Sequence, residues 1–179
     1  MPDFLFERWI GLLRADAAAR LAALGVNSIQ LIAGGFVAGL AALPSIATGR
    51  FWLVAAFILL SRAMAWIGGV NANARGADLA SAFELIVLAS IPFAFALRDP
   101  SSGLSASLLL FAMIAAGAAS LFANSNRRLS RLDVAICVAA FVLACLRPDW
   151  FALIAYLLSL FCFVSAGARI ALAFTRSDA

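Results

Sequence analysis

The sequence predicts an all-α integral membrane protein with six transmembrane helices preceded by an N-terminal amphipathic interfacial helix. Of its 179 residues, 65% are hydrophobic and only 12% are charged, and the mean hydropathy is +1.06. A soluble domain of this size could not bury so much apolar surface. The apolar residues also gather into six runs that each approach the roughly 20 residues needed to cross a bilayer. The loops between the runs are short, which predicts one membrane domain over residues 1–179.

Residues 1–25 predict a helix that lies in the lipid headgroup region. Apolar side chains recur there with a helical rather than a strand period, and charged ones separate them: Phe4, Leu5, Trp9, Leu12 and Leu13 against Arg8, Arg14, Asp16 and Arg20. This pattern is typical of a helix lying flat in the interface. The same charges interrupt the apolar stretch that a signal peptide needs, and Gly25 ends the helix.

The six runs predict transmembrane helices over residues 28–47, 51–68, 79–97, 103–123, 132–147 and 150–173, so the bundle occupies 28–173. Four prolines fall near span ends or kinks, where a missing N–H is tolerated. Gly35 and Gly39 in the first span have the spacing of small residues that lets another helix approach closely.

The arginines predict the orientation. All 13 positive charges are arginines. In a six-span arrangement, eight arginines lie on one side of the membrane: Arg8, Arg14, Arg20, Arg75, Arg127, Arg128, Arg131 and Arg176. Three lie on the other side: Arg50, Arg98 and Arg147. The remaining two, Arg62 and Arg169, lie within spans. The richer side is expected to be cytoplasmic, which places both termini there. The net charge of +4 indicates topology and contact with anionic lipids, and no basic cluster interleaved with aromatics suggests nucleic-acid binding.

Metal binding through histidine or cysteine is not expected. The chain has no histidine and three cysteines, Cys137, Cys145 and Cys162, each within an apolar run and without paired spacing. A zinc site or a disulfide framework is therefore disfavoured, and we expect small buried apolar side chains.

The stretch from Leu60 to Leu88 is the candidate site. It joins two apolar runs through a polar turn and carries Arg62, Asn71, Asn73, Arg75, Asp78 and Glu84. A glutamate inside a membrane-length apolar run is costly and therefore a functional candidate.

Several segments resemble the CDP-alcohol phosphatidyltransferase family. The resemblance rests on Asn27-Ser28 opening a glycine-rich first span, on Leu60-Ser61-Arg62 in the second, and on IPFAFALRDP at 91–100, RPDWFALIAYLL at 147–158 and Arg169. The resemblance covers nearly the whole chain. These segments are similar to one bacterial branch of the family, which implies that the protein is located in the bacterial inner (cytoplasmic) membrane. The family pattern is Asp-x-x-Asp-Gly-x-x-Ala-Arg, a spacer, then Gly-x-x-x-Asp-x-x-x-Asp.

This chain departs from that pattern at the metal ligands. In the family the aspartates are understood to hold divalent ions against a CDP-linked diphosphate, whereas the matching positions here are Ala65, Gly68 and Ala80, and the motif arginine is Asn73. Gly69 and Gly76 match. Magnesium or manganese is accordingly expected as a cofactor only if the protein is active, since hard cations need carboxylate oxygens.

Glu84 matches the family's proton-accepting position, and Ala80 lies one turn before it on the same helix face. The resemblance implies a general base at Glu84, and implies substrate contacts from Arg62, Gly69, Asn73 and Gly76. The alternatives are an ion pair between Glu84 and Arg62, snorkelling of Arg62, and helix capping by Asn73. Asp78 falls on a different face. We expect a polar cavity between the first three spans, open to the cytoplasmic side.

Three functions remain open. By resemblance, the first is transfer of a substituted phosphate from a CDP-linked donor to an alcohol with release of CMP, in phospholipid biosynthesis. The second is a catalytically inactive relative that binds lipid or serves as a partner subunit. The third is an unrelated small helical membrane protein. Expected partners are membrane lipids and a CDP-linked lipid or alcohol, and the resemblance implies a homodimer or a heterodimer with a paralogue.

Overall fold

The computed structural model describes residues 2–70, 72–122 and 131–177, and every regular element within these ranges is a helix. Short 3₁₀ turns at Pro100–Ser102 and Pro148–Trp150 precede α5 and α7. The seven α-helices are α1 (Pro2–Ala23), α2 (Ser28–Ala47), α3 (Phe51–Gly68), α4 (Ala74–Arg98), α5 (Gly103–Phe122), α6 (Arg131–Leu146) and α7 (Phe151–Ser177).

The helices confirm the all-α prediction and a multi-pass membrane protein. Within the described residues, five of them are long and apolar enough to cross a membrane: α2, α3, α4, α5 and α7. The apolar part of α6, Asp133–Leu146, is shorter than these five. The bounds of α2 and α3 match the predicted spans, while α4 begins five residues before the predicted 79, because Asn73 supplies an N-cap there. Arg127 and Arg128 lie outside the described residues.

Helix α2 is held closely between α3 and α4 because it carries glycines at the contacts. A Cβ on Gly35 would lie 3.0 Å from the Ser61 carbonyl oxygen, and one on Gly39 would lie 2.6 Å from both methyl groups of Val87. The predicted close approach at this pair of glycines is therefore confirmed. The helix begins with a capping box in which Asn27 and Gln30 exchange side-chain hydrogen bonds with each other's backbone.

A second group of helices completes the bundle. Helix α5 packs along α7 and also contacts α4, while α6 bridges α3 and α7. Among the described residues, the shared core is made mostly of small and branched apolar side chains together with three buried rings, Phe95, Phe141 and Phe151, of which Phe141 is the most deeply buried. Cys137, Cys145 and Cys162 are free thiols, and all three are buried, as expected for small apolar side chains.

One end of the bundle is fastened by Arg98. Its Nη1 donates to the carbonyl oxygen of Ile46 at 2.9 Å, and its guanidinium carbon lies 4.6 Å from the ring centroid of Phe51. The Phe51 ring stacks on Phe95 at 5.9 Å, and Phe95 stacks on Phe151 at 4.1 Å. This series ties the C-terminal ends of α2 and α4 to the N-terminal ends of α3 and α7.

The contact at Gly39 makes a stability prediction. Substituting Gly39→Ala should lower the free energy of unfolding by about 1–3 kcal/mol, because the stiff Val87 side chain and the backbone cannot give way cheaply. Gly34→Ala on the same helix is the matched control. Its Cβ would also meet an atom at 2.6 Å, but that atom is the terminal methyl of Met64, which can rotate away. Thermal unfolding of both variants in detergent measures the difference, and equal loss in the two would contradict this account.

Candidate functional site

A cavity of about 490 Å³ lies between α3, α4 and α6. Two helix faces form its walls. Arg62, Ala65 and Trp66 of α3 and its C-cap Gly69 line one wall. Ala77, Ala80, Ser81 and Glu84 of α4 line the next. Both sets follow the spacing i, i+3, i+4, i+7 of one helix face. The small side chains in these two stripes leave the space open, and Val134, Ala135 and Val138 of α6 close the third side.

Arg62 and Glu84, which both line this cavity, form an ion pair. Arg62 Nη1 donates to Glu84 Oε1, joining α3 to α4. The two side chains are 31% and 20% exposed, so the pair is largely shielded from solvent. In such surroundings each charge needs a partner, because leaving one unpaired costs several kcal/mol. The ion pair between Glu84 and Arg62, one of the alternatives from the sequence, is thus present.

The structure brings together only part of the predicted site. Ala65, Gly69, Ala80 and Glu84 share the cavity with Arg62. Ala80 and Glu84, one helical turn apart, therefore face the same cavity, as their spacing predicts. Asp78 is exposed and is not among the described lining residues, in agreement with its prediction.

Other predicted residues lie elsewhere. Gly68 packs against α2, where a Cβ would come within 3.1 Å of Ile32 and Leu31. Asn73 caps α4, and its Oδ1 accepts a hydrogen bond from the Gly76 amide at 2.8 Å. Capping is thus the role that these contacts give to Asn73 and Gly76, and Asn71 lies outside the described residues.

The position of the cavity corrects one expectation. We expected it between the first three spans, but α6 rather than α2 forms the third wall of the large cavity. A cleft of only about 20 Å³, room for about one water molecule, lies between α2, α3 and α4. The glycines of α2 explain the difference, since they allow that helix to close against its neighbours. Arg62 and Glu84 line both spaces.

Arg14 is a cavity residue that the sequence reasoning missed. It was expected only as a charge on the interfacial helix, yet its Nε donates to the Trp66 carbonyl oxygen at 2.7 Å and its guanidinium carbon lies 5.4 Å from the Trp66 ring centroid. Arg14 thereby attaches α1 to the C-terminal end of α3 and adds a positive charge to the cavity lining. The helical pattern of residues 1–25 gives no indication of this contact, because Trp66 lies 52 positions further along the chain.

A second ion pair joins α6 to α7. Asp133 Oδ2 accepts hydrogen bonds from Arg169 Nη2 and, at 3.3 Å, from Ser165 Oγ. The Arg169 and Asp133 side chains are 16% and 13% exposed. The sequence did contain a signal, because Asp133 is the one acid in the run 132–147 and lies at the same end of the bundle as Arg169.

The cavity does not fit the divalent ions that the resemblance implies. Ala65, Gly68 and Ala80 have no donor atom, and Glu84 is the one carboxylate among the described lining residues. No group of three or more histidine, cysteine, aspartate or glutamate side chains placed to hold a metal occurs in the described ranges. Magnesium and manganese are held through several oxygen ligands, normally with carboxylates among them. Here the positive charge beside Glu84 is instead the guanidinium of Arg62.

Comparisons with known proteins give one distant relative. The chain is similar to inner membrane protein YnjF of Escherichia coli (strain K12), with 27% identity over an alignment of 169 residues that covers 82% of each protein. No family model matches the chain. No solved structure matches it.

The Asp133–Arg169 pair predicts a specific loss of stability. Substituting Asp133→Asn should lower the free energy of unfolding by about 3–5 kcal/mol, because it leaves the Arg169 charge among apolar helices without a counter-charge. The matched control is Asp16→Asn on α1, where Asp16 and Arg20 form an exposed pair at 2.9 Å. That change should cost less than about 0.5 kcal/mol. Thermal unfolding in detergent compares the two, and an unchanged midpoint for Asp133→Asn would refute the assignment.

Proposed function

We propose that this chain is a lipid-binding protein of the bacterial inner membrane that has the helical arrangement of the CDP-alcohol phosphatidyltransferases but does not perform their metal-dependent transfer. The ligand is a phosphate-bearing lipid or a CDP-linked lipid or alcohol. The observation that carries the proposal is the cavity itself, which contains Arg62 and Glu84 but has alanines, Ala65 and Ala80, at two positions where the resemblance expects metal ligands.

The shape and charge of the cavity support lipid binding. Its walls are mostly apolar, with arginines Arg14 and Arg62 and the hydroxyl of Ser81 among them. An amphipathic molecule with an anionic head and acyl chains matches such walls, since guanidinium groups pair well with phosphate oxygens. A volume of about 490 Å³ falls within the range of small-molecule sites.

The chemistry argues against the family reaction. Transfer with loss of CMP develops negative charge on the departing phosphate, and preorganised positive charge at that point is usually the largest catalytic contribution. Alanine and glycine cannot hold ions there. Glu84 is also engaged by Arg62, so its carboxylate is not directed solely toward an attacking hydroxyl.

An active transferase is the second candidate. Glu84 favours it, because this carboxylate lines the cavity one turn after Ala80, at the position that the resemblance assigns to the general base. In that case Glu84 removes the proton from the acceptor alcohol and the arginines stabilise the phosphate, within phospholipid biosynthesis.

The proposal includes a topology. All six helices from α2 to α7 cross the membrane, α1 lies in the interface, and both termini are cytoplasmic. The excess of arginines at one end supports this orientation, and the name of the E. coli relative supports the inner membrane. We further propose that the protein associates as a homodimer or with a paralogue, as the resemblance implies.

Release of CMP decides between the two candidates. Purified protein in liposomes containing CDP-diacylglycerol and pooled alcohol acceptors should release no more CMP than protein-free liposomes, whether magnesium or manganese is present or absent. A folded Glu84→Gln variant serves as the control and should behave like the wild type. Metal-dependent release that disappears in Glu84→Gln would establish the transferase and overturn the proposal.

Reporter fusions test the topology. A reporter fused after Ala179 or within residues 123–130 should be cytoplasmic, and one fused after Asp149 should be extracytoplasmic, because α6 then crosses the membrane despite its short apolar part. Paired fluorescent-protein and alkaline-phosphatase fusions measure the side. An identical location for the fusions before and after α6 would mean that this helix does not span.

A further inference from the structure

Arg62 lies between the Glu84 carboxylate and the large cavity, where a second anion could bind. On one side it holds the Glu84 carboxylate, and on the other it borders the large cavity. A guanidinium group has five N–H donors in a planar fork, more than one carboxylate oxygen uses. The same group that neutralises Glu84 is therefore placed where it can meet the head of a bound molecule.

The charges around the cavity favour an anion. Among the described lining residues, Arg14 and Arg62 contribute two positive charges and Glu84 one negative charge. Arg14 is positioned by its 2.7 Å hydrogen bond to the Trp66 carbonyl oxygen and by the Trp66 ring, so its charge stays at the cavity. Arg62 and Glu84 neutralise each other, so removing the Glu84 charge would leave the Arg62 charge available to an anion in the cavity.

Every buried side-chain nitrogen and oxygen in the described ranges has a hydrogen-bond partner. Arg62 Nη1 is held by Glu84, so a phosphate that binds Arg62 through this nitrogen must take it from the Glu84 carboxylate. Space for this exchange exists, because the cavity can hold several water molecules that would hydrate a released carboxylate.

Resting on the proposed lipid-binding function, we propose that Glu84 is an internal competitor for Arg62, which a phosphate-bearing ligand displaces when it binds in the cavity. The guanidinium of Arg62 thus supplies the positive charge for phosphate, and binding needs no divalent ion. The shared chemistry is a phosphate group, carried either by a lipid headgroup or by a soluble phosphate compound.

Lipid retention in detergent tests the competition. Phosphatidic acid and diacylglycerol have the same acyl chains and differ by the phosphate, and native mass spectrometry measures how much of each stays bound. We expect wild type to prefer phosphatidic acid. Glu84→Gln should bind it about tenfold more tightly than wild type, which corresponds to about 1.4 kcal/mol. Arg62→Gln and the double variant Arg62→Gln/Glu84→Gln should both bind it more weakly than wild type, and EDTA or magnesium should leave all affinities unchanged.

Two further measurements keep the test decisive. Asp133→Asn is the matched control, because it breaks the other arginine–carboxylate pair, whose residues are not among the described lining of the large cavity. Its affinity should stay within about twofold of wild type. Glu84→Asp replaces Glu84→Gln if the latter does not fold, since its shorter side chain weakens the pair and should change affinity in the same direction. Competition by CMP or inorganic phosphate assigns the site to the phosphate alone, and its absence assigns it to the whole lipid.

The outcomes separate the competition from the proposed function. If wild type prefers phosphatidic acid but Glu84→Gln and wild type bind it equally, the competition is wrong and lipid binding stands. Full affinity in Arg62→Gln, or loss of binding with EDTA, also overturns the competition. If neither wild type nor any variant prefers phosphatidic acid or CDP-diacylglycerol over diacylglycerol, the proposed function fails and the competition fails with it.

Discussion

An ionised side chain within a bundle of apolar helices needs a counter-charge, and two arginine–carboxylate pairs meet this need here. Arg62 with Glu84 joins α3 to α4, and Arg169 with Asp133 joins α6 to α7. Both pairs lie toward the same end of the bundle. Each fixes the relative rotation of two neighbouring helices, since a turn of either helix would withdraw a charge from its partner. The large cavity is bounded by three of the helices that these pairs orient.

Small residues have opposite effects on the two sides of the Arg62–Glu84 pair. On the α2 side, Gly35 and Gly39 allow backbones to approach until only a narrow cleft remains. On the α6 side, Ala65 and Ala80 face side chains that do not reach across, and the space stays open. The difference follows from the partner helix, because α2 presents its own glycines whereas α6 presents valines.

The sequence predicted the helices well and the site only in part. Apolar runs bounded by polar turns define α2 and α3 because composition and length suffice to locate a membrane helix. The shared orientation of Ala80 and Glu84 could also be predicted, because both residues lie on one helix and their spacing fixes their relative direction. The sequence could not predict which helix closes the cavity, because this depends on contacts between residues far apart in the chain. Arg14 and Trp66 are 52 positions apart, and neither has a local pattern that indicates the other.

The resemblance gave a motif but no guide to how its remaining residues are used. Asn73 and Gly76 match or replace motif positions, yet their observed contact is with each other at the start of α4. Gly68, expected where a ligand would face the site, packs against Ile32 and Leu31 instead. A sequence pattern therefore locates a helix end more securely than it assigns a function to each position.

The Arg98 contact gives the bundle two mechanically different ends. At that end a guanidinium, a backbone carbonyl and three stacked rings bind four helices into one stiff joint. At the opposite end α3, α4 and α6 border the cavity. Because α3 and α4 are both held in this joint, widening of the cavity requires these two helices to bend or tilt about their Arg98 end. A change at Arg98 would then alter the cavity without touching the described residues that line it.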